Sequence, residues 1–185
     1  MSDRFLAELQ TTIEREIPMC AMMGIEVDSY DHRGLTLHAP LRQNYNHQGT
    51  AFAGSLNALC TMAGWGHVFL LHRIHGLTGD IVICRSSIKY LKPVASDQIC
   101  ACCHHVGDRE RDHFLEMFRA KGQAKIDVRV EIVSAEVTAV AFSGAYVITE
   151  RPADLPASES ERNVWHTLDR PQRDQIKSTG RSSRE

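Results

Sequence analysis

The sequence predicts an α+β fold in which an antiparallel sheet wraps around one long central helix. The first observation is that no Asp, Glu, Lys or Arg occurs between Arg42 and Arg73. From Phe52 onward in this stretch, apolar residues fall on nearly every side of a helical wheel, which indicates a helix surrounded by protein. The second observation is a set of later segments rich in Val, Ile, Ala and Cys, which predict strands at 80–92, 97–106, 124–133 and 136–149.

Length and composition bound the domain organisation. The chain has 185 residues, of which 43% are apolar and 24% charged, as in ordinary globular proteins. We expect one domain over residues 1–152. Residues 153–185 are rich in Pro, Ser, Glu, Arg and Asp, and we expect a largely disordered tail there.

Charge, hydropathy and cysteine usage restrict the partners and the compartment. Basic residues number 21 against 23 acidic ones and are scattered, which disfavours a nucleic-acid partner. Charged residues interrupt the first 16 positions, and polar residues and glycines interrupt the most apolar region, 51–71, so we expect neither an export signal nor a membrane span. Without export, the six cysteines are expected to be reduced. The predicted location is cytoplasmic.

The elements before the central helix follow from periodicity. A short amphipathic helix is predicted over 3–16 and ends before Pro18, since apolar residues recur at helical spacing: Phe5, Leu6, Leu9, Ile13 and Ile17. A hairpin is predicted between Gly24 and Leu41, with turn residues 31–34 between two stretches of period two. The start of the central helix is marked by Gly49, Thr50, Gly54 and Ser55, and its end by Gly76 and Gly79.

The elements after the helix are mostly strands. In the segment Lys125 to Val133, apolar side chains at 126, 128, 130 and 132 alternate with charged ones at 125, 127, 129 and 131, so one face is expected to be buried and the other solvated. The charged segment 107–123 ends in glycine and is predicted to be either a long hairpin connection or a strand extension around Phe114 and Phe118. One sheet of this length cannot enclose the central helix, so we expect a homodimer or a dimer of dimers.

Three short runs carry a resemblance to a known family. They are Asn44-Tyr45-Asn46-His47-Gln48-Gly49-Thr50-Ala51-Phe52-Ala53-Gly54-Ser55-Leu56, Ala63-Gly64-Trp65 and Lys89-Tyr90-Leu91-Lys92-Pro93-Val94. From about Ile17 to Thr149 the chain resembles the hot-dog fold thioesterases, most closely the putative thioesterase domain at the carboxyl end of YiiD-type proteins. The resemblance implies hydrolysis of an acyl thioester, carried by coenzyme A or by an acyl carrier protein. It implies no cofactor other than the coenzyme A of the substrate.

Thioester hydrolysis needs a polarised carbonyl, a positioned water and a place for the transient oxyanion. A helix N-terminus offers unpaired N–H groups and a positive dipole end. Gly54 leaves room for the thioester oxygen, and Asn46 can donate an N–H group or hold the water. The alternatives are tight helix packing for Gly54 and a loop turn or helix cap for Asn46. The resemblance also places substrate-binding residues around them: Gly49, Thr50, Phe52 and Ser55.

The chain departs from the pattern of many hot-dog thioesterases, which begin the helix with His-Gly-Gly and carry an Asp or Glu about two turns later. In that register Phe52 replaces the His, Ala53 replaces the first Gly, and Thr61 occupies the acidic position. No carboxylate occurs between Asp31 and Asp80. Thr61 can orient water or, less plausibly, attack; alternatively its hydroxyl bonds back to a helix carbonyl.

Histidines and cysteines are candidate bases and metal ligands. His47 lies in the loop before the helix and titrates near neutrality, so it is a candidate general base. His67 and His72 lie on different faces of the helix and do not form a helical metal pair. In the run 100–105, Cys100, Cys102 and His104 face one way on a strand, which favours packing over a zinc site. We therefore expect no metal.

Basic residues follow the central helix. Arg85, Ser87 and Lys89 alternate on one face of the next strand, opposite a face predicted to carry Val82, Cys84, Ser86, Ile88 and Tyr90, and Lys92 follows the strand. They either form a solvated face or bind the phosphates of coenzyme A, as the resemblance implies for Arg85, Lys89 and Lys92.

Two other functions remain open from the sequence. The first is a module of this fold that binds or senses acyl-CoA without catalysis, since Thr61 stands where a carboxylate is expected. The second, less favoured, is a hot-dog dehydratase, which needs a His paired with a carboxylate near the helix start.

Overall fold

The computed structural model describes residues 2–150, so the tail predicted at 153–185 lies outside the described residues. The described residues form six strands and five helices in the order α1 Ser2–Glu16, α2 Pro18–Met23, β1 Glu26–Asp31, β2 Gly34–Pro40, α3 Leu41–Asn44, α4 Ala53–Ile74, β3 Asp80–Tyr90, β4 Gln98–His104, α5 Asp108–Lys121, β5 Gln123–Ser134 and β6 Val137–Thr149. The predicted α+β class, the hairpin, the long helix and the four later strands are confirmed.

One antiparallel sheet in the order β1-β2-β4-β5-β6-β3 has two distinct faces. Strand β5 shows both, because Ile126, Val128, Val130 and Ile132 are buried and Lys125, Asp127 and Arg129 are exposed. We call the buried side, against which α4 packs, the inner face and the other side the outer face. The end strands β1 and β3 each have one edge that no other strand of residues 2–150 pairs with.

In strand β3, the predicted alternation of side chains between the two faces is wrong at one place. The register with β6 shifts between Ile83 and Arg85, so Cys84 forms a bulge. Beyond the bulge, Ser86, Ile88 and Tyr90 share one face, as predicted, and Arg85 lies on the other. Before it, Val82 pairs with Val147, which pairs with Lys125, and this places Val82 on the outer face together with Arg85. The extra residue reverses the alternation, which a strict period of two cannot anticipate.

Helix α4 is covered unevenly. Its C-terminal half, from Gly66 to His72, is buried on all sides. There α1 packs over it, with Leu9 and Ile13 fully buried and an ion pair of 2.7 Å between Arg73 and Glu8. The N-terminal half leaves one line of residues exposed or half-buried, which we call the open strip: Gly54, Asn57, Ala58, Thr61, Met62 and Trp65.

The prediction of a hairpin connection or strand extension for segment 107–123 is wrong, because this segment contains helix α5. The helix buries Phe114, Leu115 and Phe118, whose spacing fits one helical face. Gly122 ends it in the left-handed conformation (φ 65°), and its N–H donates to the Phe118 carbonyl at 2.8 Å. Acidic residues in the first turn and basic residues in the last turn complement the helix dipole. These signals are visible in the sequence.

Candidate active site

The N-terminus of α4 carries backbone donors that no side chain caps. The helix begins at Ala53, and its N-cap, Phe52, has extended backbone geometry and makes no side-chain cap hydrogen bond. Intrahelical bonding starts with Leu56 N–H, which donates to Phe52 O at 3.0 Å. The N–H groups of Ala53, Gly54 and Ser55 therefore precede the helical ladder. They point out of the positive end of a dipole that extends along 22 residues.

Asn46 organises the loop that leads into α4. Its Oδ1 accepts hydrogen bonds from Gln48 N–H at 2.9 Å and Thr50 N–H at 3.3 Å. Its Nδ2 donates to Thr50 Oγ1 at 3.0 Å and to the Ala51 carbonyl at 3.4 Å. Gly49 sits at the turn with φ 78°, a conformation that favours glycine. In this conformation the Asn46 side chain stabilises the loop, as the sequence alternative of a loop turn predicts. To donate to a substrate, Nδ2 has to release one hydrogen bond, most readily the longer one to the Ala51 carbonyl.

The ring of Phe52 lies over Gly54. A methyl group at Gly54 would collide with the Phe52 side chain, although both residues are exposed and Phe52 is 55% accessible. On the other side, Tyr90 at the end of β3 donates its hydroxyl to the Ala53 carbonyl at 3.1 Å. The first turn of α4 is thus held between a loop and the end of β3, and a movable aromatic ring stands over its glycine.

Thr61 lies two helical turns beyond Gly54, about 10 Å along the axis. Its side chain is half-buried on the open strip, and its hydroxyl makes no hydrogen bond with any residue in the described range. The sequence left open whether the Thr61 hydroxyl orients water or donates back to a helix carbonyl, and the hydrogen bond to a helix carbonyl is absent from this conformation. The Thr61 carbonyl instead accepts a hydrogen bond from Tyr146 Oη at 2.7 Å, which fixes the backbone at this position.

Asn57 was not selected from the sequence, yet it lies between Gly54 and Thr61 on the open strip and is exposed. Its spacing of three residues from Gly54 and four from Thr61 places all three on one helical face. That spacing is the signal that could have identified it. Asn57 adds an amide that can donate to or accept from a water molecule beside the helix start.

The histidines differ sharply in their surroundings. His47 is exposed in the loop, and its ring has no hydrogen-bond partner among residues 2–150. His67 is buried beside Tyr30 and His105, at ring-centroid distances of 6.0 and 5.5 Å. Burial lowers the pKa of His67 to about 4, and His105 acts in the same direction. Burial also lowers the pKa of His72 to about 4. The two buried histidines belong to the core of the described region.

The predicted phosphate-binding residues are not gathered at the helix start. Arg85 and Lys89 lie on the outer face, opposite the side on which α4 packs, and Arg85 pairs with Asp127 at 3.2 Å. Lys92 is exposed in the segment after β3. Gly49, Thr50, Phe52 and Ser55, in contrast, lie in the loop and first turn beside Asn46 and Gly54, as expected.

Within residues 2–150, no group of three or more His, Cys, Asp or Glu side chains is arranged to hold a metal ion. Along β4, Cys100, Cys102 and His104 are exposed or half-buried while Ala101 and Cys103 are buried, so the predicted alternation is confirmed. No helix in the same range is long and apolar enough to cross a bilayer. The absence of a bound metal and the cytoplasmic location stay predictions.

Solved structures with a similar fold define the class of protein. One is a protein of unknown function from Chlorobaculum tepidum TLS, with 32% identity over 81% of this chain and 97% of that chain and a TM-score of 0.77. A putative thioesterase from Shewanella oneidensis has 29% identity over 80% of this chain and 99% of that chain, with a TM-score of 0.72. A Haemophilus influenzae thioesterase, at 15% identity over 81% and 94% and a TM-score of 0.59, shares the fold. The protein is a hot-dog protein of the thioesterase type.

A family model gives the particular family. The model described as "Putative thioesterase (yiiD_Cterm)" matches residues 6–150. The chain belongs to this family, and the resemblance found in the sequence is confirmed over nearly the same residues.

Proposed function

We propose that the protein hydrolyses an acyl thioester to a free acid and a thiol at the N-terminus of α4. The observation that carries this proposal is that uncapped N–H groups at Ala53, Gly54 and Ser55 open onto the exposed strip of the same helix. Donors aimed at a developing oxyanion are the largest single contribution to catalysis in many acyl-transfer enzymes. Membership of a thioesterase family supports the same reaction.

In the proposed reaction, the thioester oxygen accepts hydrogen bonds from the N–H groups around Gly54, with the Phe52 ring displaced from above it. Water adds to the carbonyl carbon and forms a tetrahedral oxyanion at the helix N-terminus. The carbon–sulfur bond then breaks, and the proton from the water reaches the departing thiolate. The products are one carboxylic acid and one thiol, so no oxidant or cofactor is consumed.

The attacking water has to be oriented without a carboxylate on the helix. Thr61 Oγ1 has no hydrogen-bond partner among residues 2–150 and can bond to a water on the open strip, and Asn57 lies one turn nearer to Gly54. His47 lies in the loop before the helix, and a neutral imidazole can act as a general base. We assign Thr61 to orienting the water and His47 to accepting its proton.

The acyl chain is proposed to run along the open strip, beside Ala58, Met62 and Trp65. Residues 2–150 of one protomer leave this strip uncovered, and they expose further apolar side chains, including Tyr45 (63%) and Leu91 (55%). A second copy paired through the free edge of the 11-residue strand β3 would cover it. We therefore propose a homodimer, or a dimer of dimers. Sedimentation equilibrium that shows a stable monomer at micromolar concentration would contradict this.

The thiol carrier is proposed to be coenzyme A or an acyl carrier protein. Lys92 is exposed just beyond Tyr90, which contacts the first turn of α4, and we assign it to contacting a phosphate of the carrier at the rim of the site.

Acyl-CoA binding without turnover is the second candidate, and Thr61 favours it because a threonine hydroxyl is a poor proton acceptor at neutral pH. A dehydratase receives no support, because His47 has no carboxylate partner in the described range.

The deciding experiment offers the full-length protein a panel of acyl-CoAs of increasing chain length and follows free thiol. Isothermal titration calorimetry with the same compounds measures binding. Thiol release above the uncatalysed rate is the expected result. Saturable binding without thiol release would establish the binding module instead.

A further inference from the structure

A groove of about 430 Å³ lies on the outer face of the sheet, on the side opposite α4. Its floor is made by β6, which presents only small side chains there, Ala141 and Ser143. Strands β3 and β5 flank β6 and stand about 10 Å apart. The groove is lined by Ser87, Lys89, His104, Arg129, Val130, Glu131, Ala141, Phe142 and Ser143.

The sheet register arranges the polar residues of this groove in two rows. In the first row, Ser87 pairs with Ser143, which pairs with Arg129. In the second row, Lys89 pairs with Ala141, which pairs with Glu131. A guanidinium from β5 and an ammonium from β3 therefore approach the same floor from opposite sides, and the same face carries the hydroxyls of Ser87 on β3 and Ser143 on β6.

The two cations of the groove, Lys89 and Arg129, have no charged partner within the described part of the chain. Neighbouring groups have partners: Arg85 forms an ion pair with Asp127 at 3.2 Å, and His104 Nε2 lies 2.7 Å from Glu131 Oε1. Glu131 also accepts a hydrogen bond from Thr138 at 3.2 Å. Among residues 2–150, in contrast, the side chains of Lys89, Arg129, Ser87 and Ser143 make no hydrogen bond or ion pair.

We propose that this groove binds the phosphoryl group of a small-molecule ligand. Arg129 offers a planar fork of donors that matches phosphate oxygens, Lys89 offers a compact positive charge, and Ser87 and Ser143 donate hydroxyl hydrogens. The volume accommodates a phosphate together with part of an organic ligand. The phosphate comes either from the coenzyme A part of the thioester substrate or from a separate phosphorylated metabolite.

The first measurement uses inorganic pyrophosphate as the probe, titrated calorimetrically into the full-length protein at fixed ionic strength. Arg129→Gln and Lys89→Gln should each weaken binding about tenfold or more, the effect of losing one charge-assisted contact. Lys125→Gln is the matched control, because it removes an equal charge from the same face of β5 outside the groove, and it should change binding less than threefold. Melting temperatures check that each variant is folded.

Two results would overturn the proposal. The first is that pyrophosphate shows no saturable binding up to about 10 mM, a concentration on the order of weak electrostatic association. The second is that all three substitutions weaken binding equally, which indicates diffuse attraction.

A second experiment identifies the source of the phosphate, and it alone rests on the proposed function. If it is coenzyme A, Arg129→Gln raises KM for an acyl-CoA but not for the matching acyl N-acetylcysteamine thioester. If it is a separate metabolite, both KM values stay unchanged while pyrophosphate binding is lost. If the protein hydrolyses neither thioester, the proposed function is wrong. The pyrophosphate titration still tests whether the groove binds a phosphoryl group.

Discussion

The hydroxyl of Tyr146 donates a hydrogen bond of 2.7 Å to the carbonyl oxygen of Thr61, crossing from strand β6 to the middle of α4. Tyr146 has no solvent exposure, and it reaches the helix because Gly64 has no side chain. A Cβ atom at Gly64 would lie 2.5 Å from Tyr146 Oη. One glycine, one buried hydroxyl and one helix carbonyl thus fix the position of the helix turn that presents Thr61 on the open strip.

We predict that Gly64→Ala destabilises the protein by about 1–3 kcal/mol, because an added methyl group overpacks a rigid, buried ring. The gain in helix propensity, about 1 kcal/mol, offsets only part of this cost. Gly66→Ala is the matched control, since its nearest neighbour is the end of the flexible Leu35 side chain at 2.8 Å. Urea unfolding should show a clearly larger loss for Gly64→Ala; a stabilised Gly64→Ala protein would contradict the packing described here.

The stability of the fold should fall in mild acid because of His67. Its pKa is lowered to about 4 by burial, so the unfolded chain binds a proton at higher pH than the folded one. The stabilising contribution is complete above the unfolded pKa of about 6.5 and declines as the pH falls toward 4. Between pH 7 and pH 5 this loss is about 2 kcal/mol.

The measurement for this prediction is the free energy of unfolding at both pH values. His67→Leu should lose about 2 kcal/mol less than wild type over this interval. His32→Leu, at an exposed position in the β1–β2 turn, should lose as much as wild type. Equal losses in all three proteins would mean that His67 is not buried in neutral form.

The periodicity of apolar residues predicts most of the fold, and the elements that were predicted wrongly have identifiable physical causes. The alternation along β5 and the charge-free run of α4 are local patterns, and both elements appear as predicted. Helix α5 was missed because Phe114 and Phe118 are embedded in a charged segment whose glycine end also suits a hairpin. The uneven covering of α4 depends on where α1 packs, a long-range contact that the sequence does not display.

The site was predictable in part for similar reasons. The helix start and its loop follow from the motif around Asn46 and Gly54, and the structure places them together. The spacing of Asn57 from Gly54 and Thr61 places it on their helical face, but the sequence does not show that this face is the exposed one. Arg85 and Lys89 lie on the face of the sheet opposite α4. The sequence could not predict this, because strand alternation groups residues on one face but does not say which face the helix occupies.

Thr61 should contribute through its hydroxyl. We predict that Thr61→Val, which keeps the shape and removes the hydroxyl, lowers kcat about tenfold, the effect of one lost hydrogen bond to the water. Thr61→Ser should retain most of the activity. Acyl-CoA hydrolysis by both variants, followed through thiol release, provides the test. Full activity of Thr61→Val would remove Thr61 from the mechanism.

His47 should give the reaction its pH dependence. If it accepts the proton of the attacking water, protonation of its ring in acid lowers kcat/KM, and His47→Ala loses activity by about 10²-fold or more. The variant should also lose that acidic limb. His32→Ala serves as the control at another exposed histidine. An unchanged pH profile in His47→Ala would assign the proton to another acceptor.

The most direct test of the site at the start of α4 is the turnover of Asn46→Ala beside wild type, with acyl-CoA binding measured in parallel. Asn46 holds the loop before the helix through four side-chain hydrogen bonds. If that loop and the N–H groups around Gly54 form the oxyanion site, thiol release should fall about 10²-fold or more, the scale for losing one such donor. Binding should change little. Full turnover by a folded Asn46→Ala protein would contradict the placement of the site.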